Sequence, residues 1–109
     1  MPGPLNGYRV VDLTSNVAGP LATMILADQG ADVIKVEAPD GGDATRTGGA
    51  DRRGGFSASF LNNNRNKRSI ILDLKTAGGR EALLRLAAGA DVFVQNFRPG
   101  VAERLGVGQ

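Results

Sequence analysis

The chain contains no cysteine, no histidine and no tryptophan. Without cysteine there are no disulfides, no thiol nucleophile and no thiolate-bound zinc. Without histidine, Ser-His-Asp triads and imidazole-ligated metals are excluded as well. Any chemistry must therefore use carboxylates, lysines, hydroxyls or backbone amides, and no metal site is expected. Aromatic residues make up only 5% of the sequence, and no apolar run is long enough to span a bilayer. The N-terminus MPGPLNG lacks the basic and apolar regions of a signal peptide, so a cytoplasmic protein is expected. The net charge of +2 is too small to imply nucleic acid or a membrane surface as a partner.

What is present fits one small globular domain. The 109 residues set a ceiling of one domain, and the 41% hydrophobic and 22% charged content is ordinary for such a fold. Glycine is abundant, with 16 residues.

The stretch from Tyr8 to Glu37 carries the clearest pattern. Val10, Val11 and Leu13 read as a buried strand. Pro20 is placed at the start of a helix whose apolar face is Leu21, Met24 and Ile25, and Gly30 stops it. Asp32 to Glu37 reads as a second strand, which completes a right-handed βαβ unit. Residues 38–55 form a long Gly-rich loop, of a kind usually functional or disordered, and Asp43 to Arg46 is a candidate clasp within it. Residues 56–63 are expected to hold one or two helical turns with Phe56, Phe60 and Leu61 inward. Asn64 to Arg68 reads as a basic turn, and Ser69 to Leu74 as a third strand. Thr76 caps a helix running to about Ala88, with Leu83, Leu84, Leu86 and Ala87 buried and Glu81 and Arg85 paired. Asp91 to Gln95 is a fourth strand, and Val101 to Leu105 begins a last helix. The expected class is α/β, a Rossmann-like parallel sheet with flanking helices.

Ligand sites in open parallel sheets lie at the carboxyl ends of the strands. The Ser15 to Pro20 turn there is a candidate amide cradle for phosphate. Lys75 follows the third strand, and Asn96, Phe97, Arg98 and Arg104 follow the fourth; the arginines suit anionic oxygens and the aromatic suits a flat base. Glu37 stands where dinucleotide enzymes hold the ribose, but the turn lacks G-x-G-x-x-G, so a solvent-exposed carboxylate is expected instead. The spacing of Asp12, Asp43, Asp73 and Asp91 pairs none of them as acid and base.

These pieces, in their order, resemble class III CoA-transferases, the family of formyl-CoA transferase and carnitine CoA-transferase, with α-methylacyl-CoA racemase as a relative. The matching residues are Leu5 and Gly7 leading into VVDLT, Ala18 to Pro20, Gly30 to Glu37, and Gly42, Asp43, Thr45 and Arg46. They continue with Asn66 to Ser69, Leu72, Asp73, Lys75, Asp91, Val92, Asn96, Phe97, Pro99, Gly100 and Arg104 to Gly106. Ser15 stands at a position that is often basic in the family, and Ala38 at one that is Arg in some members. The GGDATR loop is closer to the transferases than to the racemases.

The resemblance implies a coenzyme A-binding Rossmann-like segment over residues 1–109, the N-terminal portion of a larger fold. It carries over Val17, Ala18, Leu72, Lys75, Asn96, Phe97, Arg98 and Arg104 as coenzyme A-contacting positions. It implies no permanently bound cofactor, an acyl-CoA and a carboxylic acid as substrates, and an interlocked homodimer for the full-length enzyme. The family's catalytic aspartate lies beyond the matched region, so the chain alone is expected to be inactive. A racemase-like enzyme and a non-catalytic nucleotide-binding module are the alternative readings.

Overall fold

The computed structural model describes residues 3–46, 52–53 and 56–105. Its centre is a four-stranded parallel sheet: β1 (Arg9–Asp12), β2 (Asp32–Glu37), β5 (Lys67–Ile71) and β6 (Val92–Val94). The order across the sheet is β5-β2-β1-β6. The chain builds outward on one side of β1 and then returns to add β6 on the other. This is the first half of the Rossmann strand order, with its switch point between β1 and β6.

Helices cover both faces, as an all-parallel sheet requires. Alternation along β1 and β2 sorts the core into two. Val10 and Val33 pack with Ala27 and Ala31, on the side of helix α1 (Ala18–Asp28). Val11, Leu13 and Val36 pack with Leu83 of α3 (Ala77–Ala88) and Ala102 of α4 (Val101–Arg104). Between β2 and β5 lie a 3₁₀ turn at Ala44–Arg46, a two-residue antiparallel ribbon of β3 (Arg52–Arg53) and β4 (Phe56–Ser57), and α2 (Ala58–Asn63). β3 stands where the glycine content pointed to loop alone, and β4 takes the first two of residues 56–63, which were expected to be helical. Part of that predicted loop, residues 47–51 and 54–55, lies outside the described residues.

Several local expectations are corrected. Helix α1 starts two residues before Pro20 and buries Pro20, Thr23, Met24 and Ala27, while Leu21 and Ile25 are 39% and 47% exposed. The Thr23 hydroxyl donates to the buried Asp12 carboxylate at 2.7 Å, and that contact turns small residues toward the sheet. Leu84 and Leu61 also face outward, whereas Leu83 is fully buried. The third strand begins at Lys67, not Ser69, because Val33 pairs with Lys67 in the parallel register. Thr76 caps α3 as expected, accepting from the Gly79 amide at 3.0 Å, and the Glu81–Arg85 pair forms at 2.7 Å.

Candidate functional site

The carboxyl ends of the strands surround an open cavity of about 420 Å³. Leu13, Val36, Leu72, Leu74, Phe97 and Leu105 give it an apolar lining, and Thr14, Ser15, Glu37, Asp40, Asp43, Asp73 and Lys75 complete its wall. Each strand contributes through the segment that follows it: 13–15 after β1, 38–43 after β2, 72–75 after β5 and Phe97 after β6. An apolar cleft with a few placed polar groups is the usual form of a small-molecule site.

Of the eight positions singled out from the sequence, Leu72, Lys75 and Phe97 line this cavity. Val17, Ala18, Asn96, Arg98 and Arg104 lie outside its wall and are exposed. The Asn96 side chain braces the β1–α1 turn instead. Its amide donates to the Ser15 carbonyl at 2.9 Å, and its carbonyl accepts from the Ser15 amide at 3.2 Å. Arg104 Nε donates to the Gly100 carbonyl at 3.4 Å.

The most informative feature is how the cations are distributed. Arg9 and Arg68 share Asp32, Arg65 holds Asp28, and Arg85 holds Glu81, all at the surface. Lys35, Lys67 and Arg46 are paired inside with Asp43, Asp12 and Glu37. Among the described residues no carboxylate pairs with Lys75, Arg98 or Arg104. These three follow β5 and β6, at the binding edge, and of them Lys75 is in the cavity wall.

Three internal pairs shape that edge, and none was legible from spacing. Lys67, expected in a solvated basic turn, has a side chain only 2% exposed. Its ammonium donates to Asp12 Oδ2 at 3.0 Å, to the Pro20 carbonyl at 3.0 Å and to Asn64 Oδ1 at 2.7 Å. Burial draws the Lys67 ammonium below its ordinary value, with Asp12 opposing. Asp12 in turn accepts from the Thr14 amide and hydroxyl and from Thr23.

Glu37 is buried, not solvated as expected. Arg46 grips it with two contacts of 2.6 Å, Ser69 donates its hydroxyl, and the Asp43 amide donates at 2.9 Å. The Arg46 guanidinium also stacks 4.1 Å from the centre of the Phe60 ring. Burial pushes the Glu37 carboxyl up, but Arg46 and Ser69 outweigh it and bring it from 4.5 to about 2. A carboxylate held in this way has no capacity left for a ribose. Of the clasp anticipated over Asp43 to Arg46, the Thr45 amide and hydroxyl close on the Asp43 carboxylate, while the Arg46 side chain turns to Glu37 instead. The loop doubles back at two glycines, with φ of +99° at Gly41 and +72° at Gly42. Among the described residues no cluster of acidic side chains is placed to hold a metal ion.

The strand order and the cavity define a Rossmann-ordered α/β unit open at the edge where such sheets take their ligands. Residues 5–109 match the family described as CoA-transferase family III. The chain belongs to that family. It is 52% identical over 107 residues to a probable fatty acyl-CoA transferase of Mycobacterium tuberculosis, covering 96% of this chain and 27% of the relative. It is 49% identical over 105 residues to human succinyl-CoA:glutarate CoA-transferase, covering 96% of this chain and 24% of the relative. In structure it superposes on a CAIB/BAIF family protein from Brucella suis with a TM-score of 0.92 at 44% identity, over 100% of this chain and 30% of the other. The chain thus spans about a quarter of the length of the curated relatives it matches.

Proposed function

We propose that this chain is the coenzyme A-binding N-terminal part of a class III CoA-transferase that moves coenzyme A from an acyl-CoA donor to a carboxylate acceptor. The observation that carries this reading is Lys75, a cation without a carboxylate partner among the described residues, set in the wall of an apolar cavity at the carboxyl edge of the sheet. Arg98, in the loop after β6, and Arg104, in α4, add positive charge that no carboxylate pairs with among the described residues. A diphosphate and a ribose phosphate need such cations, and Phe97 offers an apolar ring to a flat base. The acyl-CoA is substrate, so no permanently bound cofactor is invoked.

In this reading residues 1–109 frame the nucleotide end of the substrate. Val17, Ala18, Leu72, Lys75, Asn96, Phe97, Arg98 and Arg104 form its surroundings. The nucleophile that takes the acyl group comes from outside this chain, and the working enzyme is an interlocked homodimer in the cytoplasm. The family membership and the activities for which the relatives are named support the transferase class. The test is a pair of titrations, coenzyme A and NAD⁺, against the protein carrying this chain. Binding of coenzyme A without NAD⁺ is expected, and preference for NAD⁺ overturns the reading. A second assay mixes the isolated chain with an acyl-CoA and a carboxylate; turnover contradicts the assignment of the nucleophile elsewhere.

A further inference from the structure

In dinucleotide-binding folds of this strand order, the amides of the β1–α1 turn hold a diphosphate. Here the amides of three successive residues in that turn are already taken. Thr14 donates to Asp12, Ser15 to Asn96, and Asn16 to Asp43 Oδ1 at 3.1 Å. Asn16 adopts φ of +74°, a left-handed conformation uncommon outside glycine, and in it the amide meets the Asp43 carboxylate. The same carboxylate accepts from the Thr45 amide at 2.9 Å and the Thr45 hydroxyl at 2.8 Å, and its second oxygen lies 2.8 Å from the Lys35 ammonium. Two amides, a hydroxyl and an ammonium are the donors that a phosphate oxygen would recruit. The Asp43 side chain is 0% exposed and that of Lys35 is 2% exposed, so the arrangement is closed to solvent.

We propose that Asp43 is a built-in anion that fills the phosphate seat of the β1–α1 turn and sets the selectivity of the adjoining cavity. It turns away ligands that would place a diphosphate on the turn. Where the cavity serves an acyl-CoA, the part of this inference that rests on the function proposed above, the ligand's phosphates are left to the Lys75 side. Asp43 also ties the 38–46 loop to the turn through the Asn16 amide, and to the end of β2 through its own amide, which donates to Glu37. The seat is therefore filled whenever the loop is folded.

The experiment follows thermal melting of the parent protein, Asp43→Ala and Asp43→Asn in sodium formate, with sodium chloride at equal ionic strength as control. The alanine variant exposes the seat to a small anion, so it should melt lower than the parent and recover saturably with formate. The parent and the asparagine variant, whose seats are filled, should not respond beyond chloride. Inorganic pyrophosphate should bind the alanine variant at least about tenfold more tightly than the parent. Equal response of all three proteins to formate overturns the proposal. An alanine variant that stays unfolded at every formate concentration also overturns it, since an anion seat is restored by an anion and a purely packed site is not. Coenzyme A is titrated into the parent separately. Its failure to bind would remove the transferase reading and leave the formate result standing.

Discussion

At the scale of single residues, carboxylates hold cations both inside and at the surface, while among the described residues Lys75, Arg98 and Arg104 at the binding edge have no carboxylate partner. The three internal pairs are the costly ones. Removing one member of a buried pair leaves the other uncompensated, which costs roughly 3–5 kcal/mol, whereas surface pairs such as Glu81–Arg85 contribute about 0.3–0.5 kcal/mol. Asp12→Ala strips partners from Lys67, Thr14 and Thr23 together and should lower stability by roughly 3–5 kcal/mol in urea denaturation. A loss below about 1 kcal/mol would contradict the pairing. Glu37 makes a separate claim about pH. Its carboxyl lies at about 2 in the fold and near 4.5 when unfolded, so its contribution is fully present above 4.5 and is lost as pH falls toward 2. Up to about 3 kcal/mol should disappear over that window. Glu37→Gln should flatten the acid limb of the stability profile there, and an unchanged limb would count against the clasp. None of these pairs was readable from the sequence. Lys67 and Asp12 are 55 residues apart, and a lysine in an NRNKR run looks like solvated turn until the parallel register carries its stem inside.

At the scale of elements, the sequence was most legible where periodicity and turn chemistry agreed. The β1–α1–β2 unit, the Thr76 cap and the alternation of strands and helices all stand at or near their expected positions. Helix rotation was less legible. The apolar spacing of Leu21 and Ile25 suggested an inward face, but the Thr23–Asp12 contact and close packing of Ala27 on β1 and β2 turned α1 away from it. The 38–46 loop is held by backbone that only glycine adopts comfortably. At Gly42, φ is +72° and a Cβ would run into the Glu37 carboxylate, so Gly42→Ala should lower the melting temperature, at a cost of roughly 1–3 kcal/mol. Gly78, in the first turn of α3 with open space around it, should behave oppositely: Gly78→Ala is expected to gain about 0.5–1 kcal/mol. Equal effects at the two positions would contradict this account of the loop.

At the scale of the whole molecule, the order β5-β2-β1-β6 brings segments from across the chain to one edge. That convergence could be inferred from the sequence, because parallel strands joined by right-handed crossovers must share a carboxyl edge. The cavity's membership could not. The loop after β2 folds back to form one wall, while Val17, Ala18, Asn96, Arg98 and Arg104 stand outside it. Among the described residues the sheet is edged by β5 and β6, each paired on one side only, and Ile71, Leu84 and Val92 are 64%, 53% and 42% exposed. Apolar surface beside unpaired strand edges favours association, so the isolated chain should sediment as concentration-dependent oligomers. A single dispersed monomer would argue against this. The central claim, that the edge carries a coenzyme A site with Lys75 as its cation, is tested most directly by calorimetry of coenzyme A binding to the protein carrying this chain, with and without Lys75→Ala. The account predicts a loss of roughly 1–3 kcal/mol, about tenfold to a hundredfold in affinity, with the fold intact. Coenzyme A binding as tight in Lys75→Ala as in the parent would contradict it.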